Sequence, residues 1–490
     1  MDRSLSTKRT RVTPPIPRVE LVKLPTGREL EIKFKTDAAG LKLAHGSKLL
    51  STDAADAPRR TLRSVYFDTP AGDLRKQRMV LRVRKMRRTH IMGLKWARPL
   101  AEGPVSRSEI EVRVPSLDPN ITLFGKEIAA ELRRVIEGRP LERQFETQIK
   151  RRLRCLNLER SQLEVAFDEG FVVVGDRRQP LTEVELELKA GEETALYELA
   201  VRLADALPMR LDIMSKAERG FMLAADDRPL PVRATDLQFP TDATLDDTVE
   251  TVIASALGQF VANWPALAET HHRESIHQMR VALRRLRTAL AFFDRVVPCD
   301  EFKIFRTEAK RIASAFSPAR DWDAFREVVE DGPLTHYAQE GESFEALLTT
   351  VEGRRLAAYA IAQEVINNPS TTRFVLKLRA FLARRAWRNA LCGAELLRLT
   401  EPARPFAGET LERLHKRAFR AVAQLQDGLG AFNDAASAAH VLRDVEAAAG
   451  PQAAKAAGIV LGWCGRGMVI TDDNLRKAWK SFTRARPFWH

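Results

Sequence analysis

Residues 29–35 read ELEIKFK, in which Glu29, Glu31 and Lys33 alternate with Leu30, Ile32 and Phe34. Successive strand side chains point to opposite faces, so this heptapeptide is predicted as a strand with one charged and one apolar side. The same period recurs in VLRVRK (80–85), RSEIEVRV (107–114) and EVELELK (183–189). Short alternating runs of this kind predict an antiparallel sheet between about Glu29 and Lys189. Helical spacing over 126–137 and 192–206 makes this half α+β.

Beyond residue 225 the pattern changes. Prolines and acids interrupt periodicity over 226–239, and from 240 onward the chain reads almost continuously as helix rich in Ala, Leu, Arg and Glu. Breaks at NNPSTT (367–372) and TEPARPFAG (400–408) divide that half into helical bundles. The predicted organisation is therefore a basic tail (1–26), an α+β domain (27–225), a linker (226–239) and an all-α domain (240–490). A chain of 490 residues with 44% hydrophobic and 29% charged residues is of ordinary globular composition and long enough for several domains.

The formal charge of +14 favours phosphate- or carboxylate-bearing partners. Nucleic acid is disfavoured, because no basic strand is interleaved with the aromatics that stack bases. The four cysteines, Cys155, Cys299, Cys392 and Cys464, lie far apart and form no metal-binding cluster, so buried, reduced thiols are expected. No apolar run approaches a membrane span, and the stretch MDRSLSTKRTRVTPPIPRVE has no signal-peptide core, so a cytoplasmic protein is expected. Motifs of P-loop, zincin and α/β-hydrolase chemistry are absent.

The charges are grouped. Acids concentrate on the strands with Glu29 and Glu31 and with Glu183, Glu185 and Glu187, whereas Arg82, Arg84, Lys95, Arg107, Lys150 and Arg152 fall at strand positions between them. Close carboxylates repel unless cations intervene, and Mg²⁺ or Mn²⁺ prefers oxygen ligands. If the charged sides face inward, carboxylate-held metal and a basic wall would meet an anionic substrate, as phosphoryl transfer requires. The pattern alone fits equally a sheet whose charged side is merely solvated.

The ordered segments ELEIK (29–33), YFDTPAGDLRKQRMVLRVRK (66–85), LKW (94–96), RSEIEV (107–112), FDEG (167–170), EVELELK (183–189) and SKAERG (215–220) resemble the CYTH, or triphosphate tunnel metalloenzyme, family. The resemblance implies an eight-stranded antiparallel tunnel with flanking helices that takes inorganic triphosphate with Mg²⁺ or Mn²⁺. It implies Glu29, Glu31, Asp168, Glu183 and Glu185 around the metal, Glu29, Glu31 and Lys33 in catalysis, and Arg82, Arg84, Lys95, Arg107, Lys150, Arg152 and Lys216 on substrate. The implied reaction is hydrolysis of tripolyphosphate to pyrophosphate and phosphate. Adenylate cyclase or thiamine triphosphatase chemistry, and non-catalytic polyanion binding, stay open as alternatives.

In SIHQMRVALRRLRTALAFF (275–293), Ile276, Met279, Leu283, Leu286, Leu290 and Phe293 form an apolar helical seam. His277, Arg280, Arg284 and Arg287 follow one residue later as a basic stripe, which fits either a solvated helix edge or a row of phosphate-gripping forks. The block HQMRVALRRLRTAL, with SPARDWDAF (317–325) and LQDGLGAFND (425–434), resembles the CHAD domain, a helical repeat associated with inorganic polyphosphate. The resemblance implies long-chain polyphosphate on His277, Arg280, Arg284, Arg285 and Arg287, with Lys310 and Arg311 from the next helix. It further implies localisation at polyphosphate granules. The second basic helix of that family is replaced here by the shorter RLHKRAFR (413–420), where His415 and Arg417 stand in.

Overall fold

The computed structural model describes residues 28–51, 58–97, 106–158, 160–337 and 341–406, with 429, 441–442, 453–466, 475–477 and 479–480. The tail, His415, Arg417 and nearly all of LQDGLGAFND lie outside the described residues. The α+β half contains strands β1 (Arg28–Lys35), β2 (Arg60–Asp68), β3 (Met79–Met86), β4 (Thr89–Ala97), β5 (Ser106–Val114), β6 (Glu142–Leu158), β7 (Ser161–Val174), β8 (Arg177–Ala190) and β9 (Arg210–Asp212). Its helices are α1 (Ala38–Gly46), α2 (Asp73–Lys76), α3 (Lys126–Ile136), α4 (Glu193–Ala206) and α5 (Lys216–Ala225).

The strands run in the order β5-β4-β3-β2-β6-β7-β8-β1-β9, and β5 also pairs with β1, so β1 to β8 close into an antiparallel barrel. The ninth strand extends the eight expected. β5 pairs with β1 only as far as Leu30. The remaining edge of β1, Lys33–Lys35, is taken by β9, which leaves no open ladder there.

Apolar side chains point out of the barrel and charged ones into it. Leu30, Ile32 and Phe34 pack beneath α4 together with Leu196, Leu199 and Leu203. On the other side Leu81 and Val83 meet Ile128, Leu132 and Ile136 of α3. Burying the outer face of the barrel against helices on two sides, at roughly 25 cal/mol per Å², is what makes a charged lumen thermodynamically tolerable. One stretch of the interior is apolar: Ala217 and Phe221 of α5 pack with Leu62, Tyr66, Phe145, Ile149, Val172 and Leu181. There Gly220 lets α5 come so close that an added Cβ would lie 2.0 Å from the Phe145 ring. Gly220→Ala is accordingly expected to lower stability by about 1–3 kcal/mol in a urea titration, through overpacking.

Residues 227–240 carry neither helix nor strand, and an all-helical half follows. Its described helices include α6 (Leu245–Ala262), α7 (Trp264–Thr270), α8 (Arg273–Val296), α9 (Asp300–Ala315), α10 (Ser317–Asp331), α11 (Pro333–His336), α12 (Gly341–Asn367), α13 (Pro369–Ala383) and α14 (Ala394–Leu399), and residues 453–466 are helical as well. The predicted seam is core, since Ile276, Met279, Leu283, Leu286, Leu290 and Phe293 are all buried with residues of α6, α9 and α13. Leu376 and Ala380 of α13 instead join the core beneath the sheet, so the halves share packing. All four cysteines are free, but only Cys299 and Cys464 are buried; Cys155 and Cys392 are exposed, contrary to expectation. Among the described residues no helix is long and apolar enough to cross a membrane.

Candidate functional site

The two acidic strands are hydrogen-bonded neighbours. In the register of β1 with β8, Glu31 faces Glu187, Lys33 faces Glu185 and Lys35 faces Glu183. Asp168, on β7 opposite Glu183, completes a group of three carboxylates with Glu183 and Glu185 whose oxygens lie within 4.8 Å of one another. Lys216 stands at their centre: its Nζ is 2.8 Å from Asp168 Oδ2 and 2.9 Å from Glu185 Oε1, and it also donates to Glu183. A capping box places it there, with Ser215 Oγ accepting from the Glu218 amide at 3.1 Å and Glu218 Oε2 accepting from the Ser215 amide at 2.7 Å. Arg151 donates to Asp168 Oδ1 at 2.7 Å and to Glu185 Oε2 at 2.5 Å.

Three carboxylates, two of them buried, crowd around the ammonium of Lys216 and the guanidinium of Arg151, with Lys33 nearby, and the titration of the group follows from that. Burial, reinforced by Glu185 and Asp168 against the pull of Lys216 and Lys33, pushes Glu183 up to about 7. Burial acts on Glu185 as well, but Lys216 and Arg151 hold it well below the usual carboxylate range. Lys216 remains charged, because the three carboxylates overcome the effect of its burial.

A basic wall faces the same lumen. Arg82, Arg84, Lys95, Tyr66, Arg151, Lys216, Glu31 and Glu185 are among the residues lining a cavity of about 200 Å³. Arg82 Nη2 donates to Glu109 Oε1 at 2.9 Å, and Lys95 Nζ lies 3.1 Å from Glu109 Oε2. Arg84 differs: its Nε donates to the Ser64 hydroxyl at 3.3 Å, and among the described residues no carboxylate lies within ion-pair distance of it. Burial, with Arg82 and Arg151 nearby, brings its guanidinium down to about 10. A desolvated cation without an ion-pair partner is an anion acceptor. Tyr66 is buried, which raises a phenol, yet Arg82, Arg84 and Lys216 pull it below its ordinary value.

The structure brings together Glu31, Lys33, Arg82, Arg84, Lys95, Asp168, Glu183, Glu185 and Lys216 of the predicted residues. Lys216 sits with the carboxylates rather than on the basic wall. Lys150 and Arg152 are corrections. Both are exposed and line a separate outer cleft with Lys42, His45 and Arg59, whereas Arg151 between them points inward. The run IKRRLR does not fix its own parity, because Ile149 shares the inner face with Arg151 where α5 makes the lumen apolar. Glu29 and Arg107 are paired in register on β1 and β5. The sequence reading assigned no role to Arg151, Tyr66 or Glu109; the last belongs to a quoted alternating run, so its inward parity was available.

In the helical half, Arg280 Nη1 donates to Ser317 Oγ and lies 3.4 Å from the Ala313 carbonyl. Burial lowers His277, and Arg320 with Arg284 and Arg280 adds to it, so these basic side chains of α8 and the start of α10 lie close enough to act on one another. Arg320 was missed because it lies on another helix. Lys310 is exposed one turn before Ala313, and Arg287 is half-buried on α8. Two expected residues face elsewhere. Arg285 Nη1 donates to Gln259 of α6 at 2.6 Å, and Arg311 is held by Glu308 at 2.6 Å and Ser370 at 3.3 Å.

An antiparallel barrel with a carboxylate group and a basic wall in one lumen is followed by a helical half whose α8 and α10 bring basic side chains together. Residues 27–221 match the CYTH domain and residues 251–424 the CHAD domain, so the chain carries a CYTH domain followed by a CHAD domain. Over 175 residues it is 31% identical to an inorganic triphosphatase of Haemophilus influenzae, covering 34% of this chain and 46% of that protein. Over 318 residues it is 25% identical to an uncharacterized protein of Mycobacterium tuberculosis, covering 60% of this chain and 58% of that one. The chain thus spans about half the length of the curated relatives it matches. Among solved structures, the CHAD domain of the plant Ricinus communis is similar at 24% identity and a TM-score of 0.42, covering 53% of this chain and 98% of that one.

Proposed function

We propose that this chain hydrolyses inorganic triphosphate in the barrel, with a divalent cation, and binds polyphosphate on the basic side chains of α8 and the start of α10. The observation that carries the first part is the separation of charge in one lumen: the three carboxylates of Asp168, Glu183 and Glu185, and on Arg84 a guanidinium with no ion-pair partner among the described residues. The likeness to an inorganic triphosphatase supports the same reading.

The carboxylate group suits Mg²⁺ or Mn²⁺, since it offers only hard oxygen donors and already surrounds one cation, the Lys216 ammonium. When bound, the metal neutralises charge that develops on the phosphoryl oxygens. Arg82, Arg84 and Lys95 hold and orient the phosphate chain by charge-assisted hydrogen bonds, and Arg84, having no carboxylate to give up, does so at least cost. Glu31 and Lys33, paired at 3.1 Å, form the adjacent wall and orient the attacking water. Phosphate release from tripolyphosphate, dependent on Mg²⁺ or Mn²⁺ and stopped by chelator, tests the reading. Faster turnover of ATP or thiamine triphosphate would reassign the substrate.

Metal affinity is expected to depend on pH with a definite sign. Glu183 is protonated below about 7, so a metal entering there must displace a proton. Affinity for Mn²⁺ should rise about tenfold per pH unit up to about 7 and then level off, as measured by titration calorimetry. In the helical half, Arg280→Glu combined with Arg284→Glu is expected to weaken binding of long-chain polyphosphate by at least about 100-fold and to flatten its salt dependence. Filter binding at several salt concentrations checks this, and unchanged affinity would remove these side chains from the proposal.

A further inference from the structure

Arg379, on α13 of the helical half, is 8% exposed, and its Nη2 has no hydrogen-bond partner. Among the described residues no carboxylate lies within ion-pair distance of it. The guanidinium lines a cavity of about 40 Å³ at the junction of the two halves, with Glu31 and Lys33 of β1, Tyr197 of α4, and Asp212 and Ile213. Both carboxylates there already have cationic partners. Glu31 Oε1 is 3.1 Å from Lys33 Nζ, and Asp212 Oδ2 accepts from Arg219 Nη2 at 2.5 Å. Among the described residues Arg379 is therefore left without an ion-pair partner at this cavity.

Burying an ionised group without a counter-charge costs several kcal/mol, which water relieves only in part because it brings hydrogen bonds and no charge. Burial also pulls the Arg379 guanidinium below its ordinary value, and the more distant Tyr197, Glu250 and Glu193 offset that only in part. The space admits a few water-sized particles. A monatomic anion has that size, accepts from Nη2 and supplies the missing charge.

We propose that the cavity between β1 and α13 is a binding site for one small monovalent anion of halide size, held by the guanidinium of Arg379. The ion would fasten the helical half to the strand that carries Glu31 and Lys33, so its occupancy should appear in the stability of the whole chain. The site does not depend on the triphosphatase reading, because none of its tests uses turnover.

Thermal unfolding of the full chain in sodium chloride and in sodium gluconate, at equal ionic strength, tests the site. The wild type is expected to melt about 2 °C higher in chloride, saturably, and Arg379→Met is expected to melt at the same temperature in both salts. No difference for the wild type, or an equal difference in the variant, would overturn the proposal. Bromide anomalous diffraction from wild-type crystals gives a second reading that does not require the variant to fold. A peak within hydrogen-bond distance of Arg379 Nη2 is expected, and water alone at that position would overturn the site whatever the melting data.

Discussion

Glu185→Gln should release phosphate from tripolyphosphate about 10²–10³ times more slowly than the wild type while remaining folded. The size of the effect is that of removing one preorganised electrostatic group from a desolvated site. The variant keeps its fold for a reason of charge. Asp168, Glu183 and Glu185 carry three negative charges against the two positive charges of Lys216 and Arg151, so neutralising Glu185 balances the cluster. A Gln of the same shape keeps one oxygen to accept from Lys216 or Arg151, its amide nitrogen taking the place of the other acceptor. Steady-state phosphate release, with circular dichroism to establish the fold, checks this, and a loss below tenfold would place the chemistry elsewhere.

Lys216→Met is expected to act on stability instead. Removing the ammonium leaves three carboxylates, two of them almost wholly buried, with Arg151 as their main cation. Breaking a buried ion network from one side typically costs about 3–5 kcal/mol. Mg²⁺ should return much of that loss, because it binds the native carboxylate group and not the unfolded chain. Urea unfolding with and without Mg²⁺ therefore predicts a larger metal-dependent gain for the variant than for the wild type. Equal stability of the two without metal would mean that the Lys216 contacts contribute little.

The fold was largely legible because its strands keep strict alternation. The charged positions of 29–33, 82–84 and 183–187 required one common side, and the helices over 126–137 and 192–206 supply the cover for the other. Closure was not legible from periodicity, since the pairing of β1 with β5 joins residues nearly 80 positions apart in the chain. The ninth strand is three residues long and exists because β5 leaves an edge of β1 unpaired. Site residues failed where local pattern and tertiary parity part company. Lys150 and Arg152 carry the charge expected of a lumen, but Ile149 and Phe145 pack against α5, which turns Arg151 inward. In the helical half the seam fixed which face of α8 is buried, yet Arg320 of α10 also acts on His277, and no single-helix pattern contains it.

Manganese anomalous diffraction from crystals soaked with Mn²⁺ and a non-hydrolysable tripolyphosphate analogue tests the central claim most directly. The account predicts a Mn²⁺ peak among Asp168, Glu183 and Glu185, with the Lys216 ammonium displaced from their centre and the phosphate chain on Arg82, Arg84 and Lys95. Metal or analogue bound outside the barrel, with the lumen empty, would contradict it.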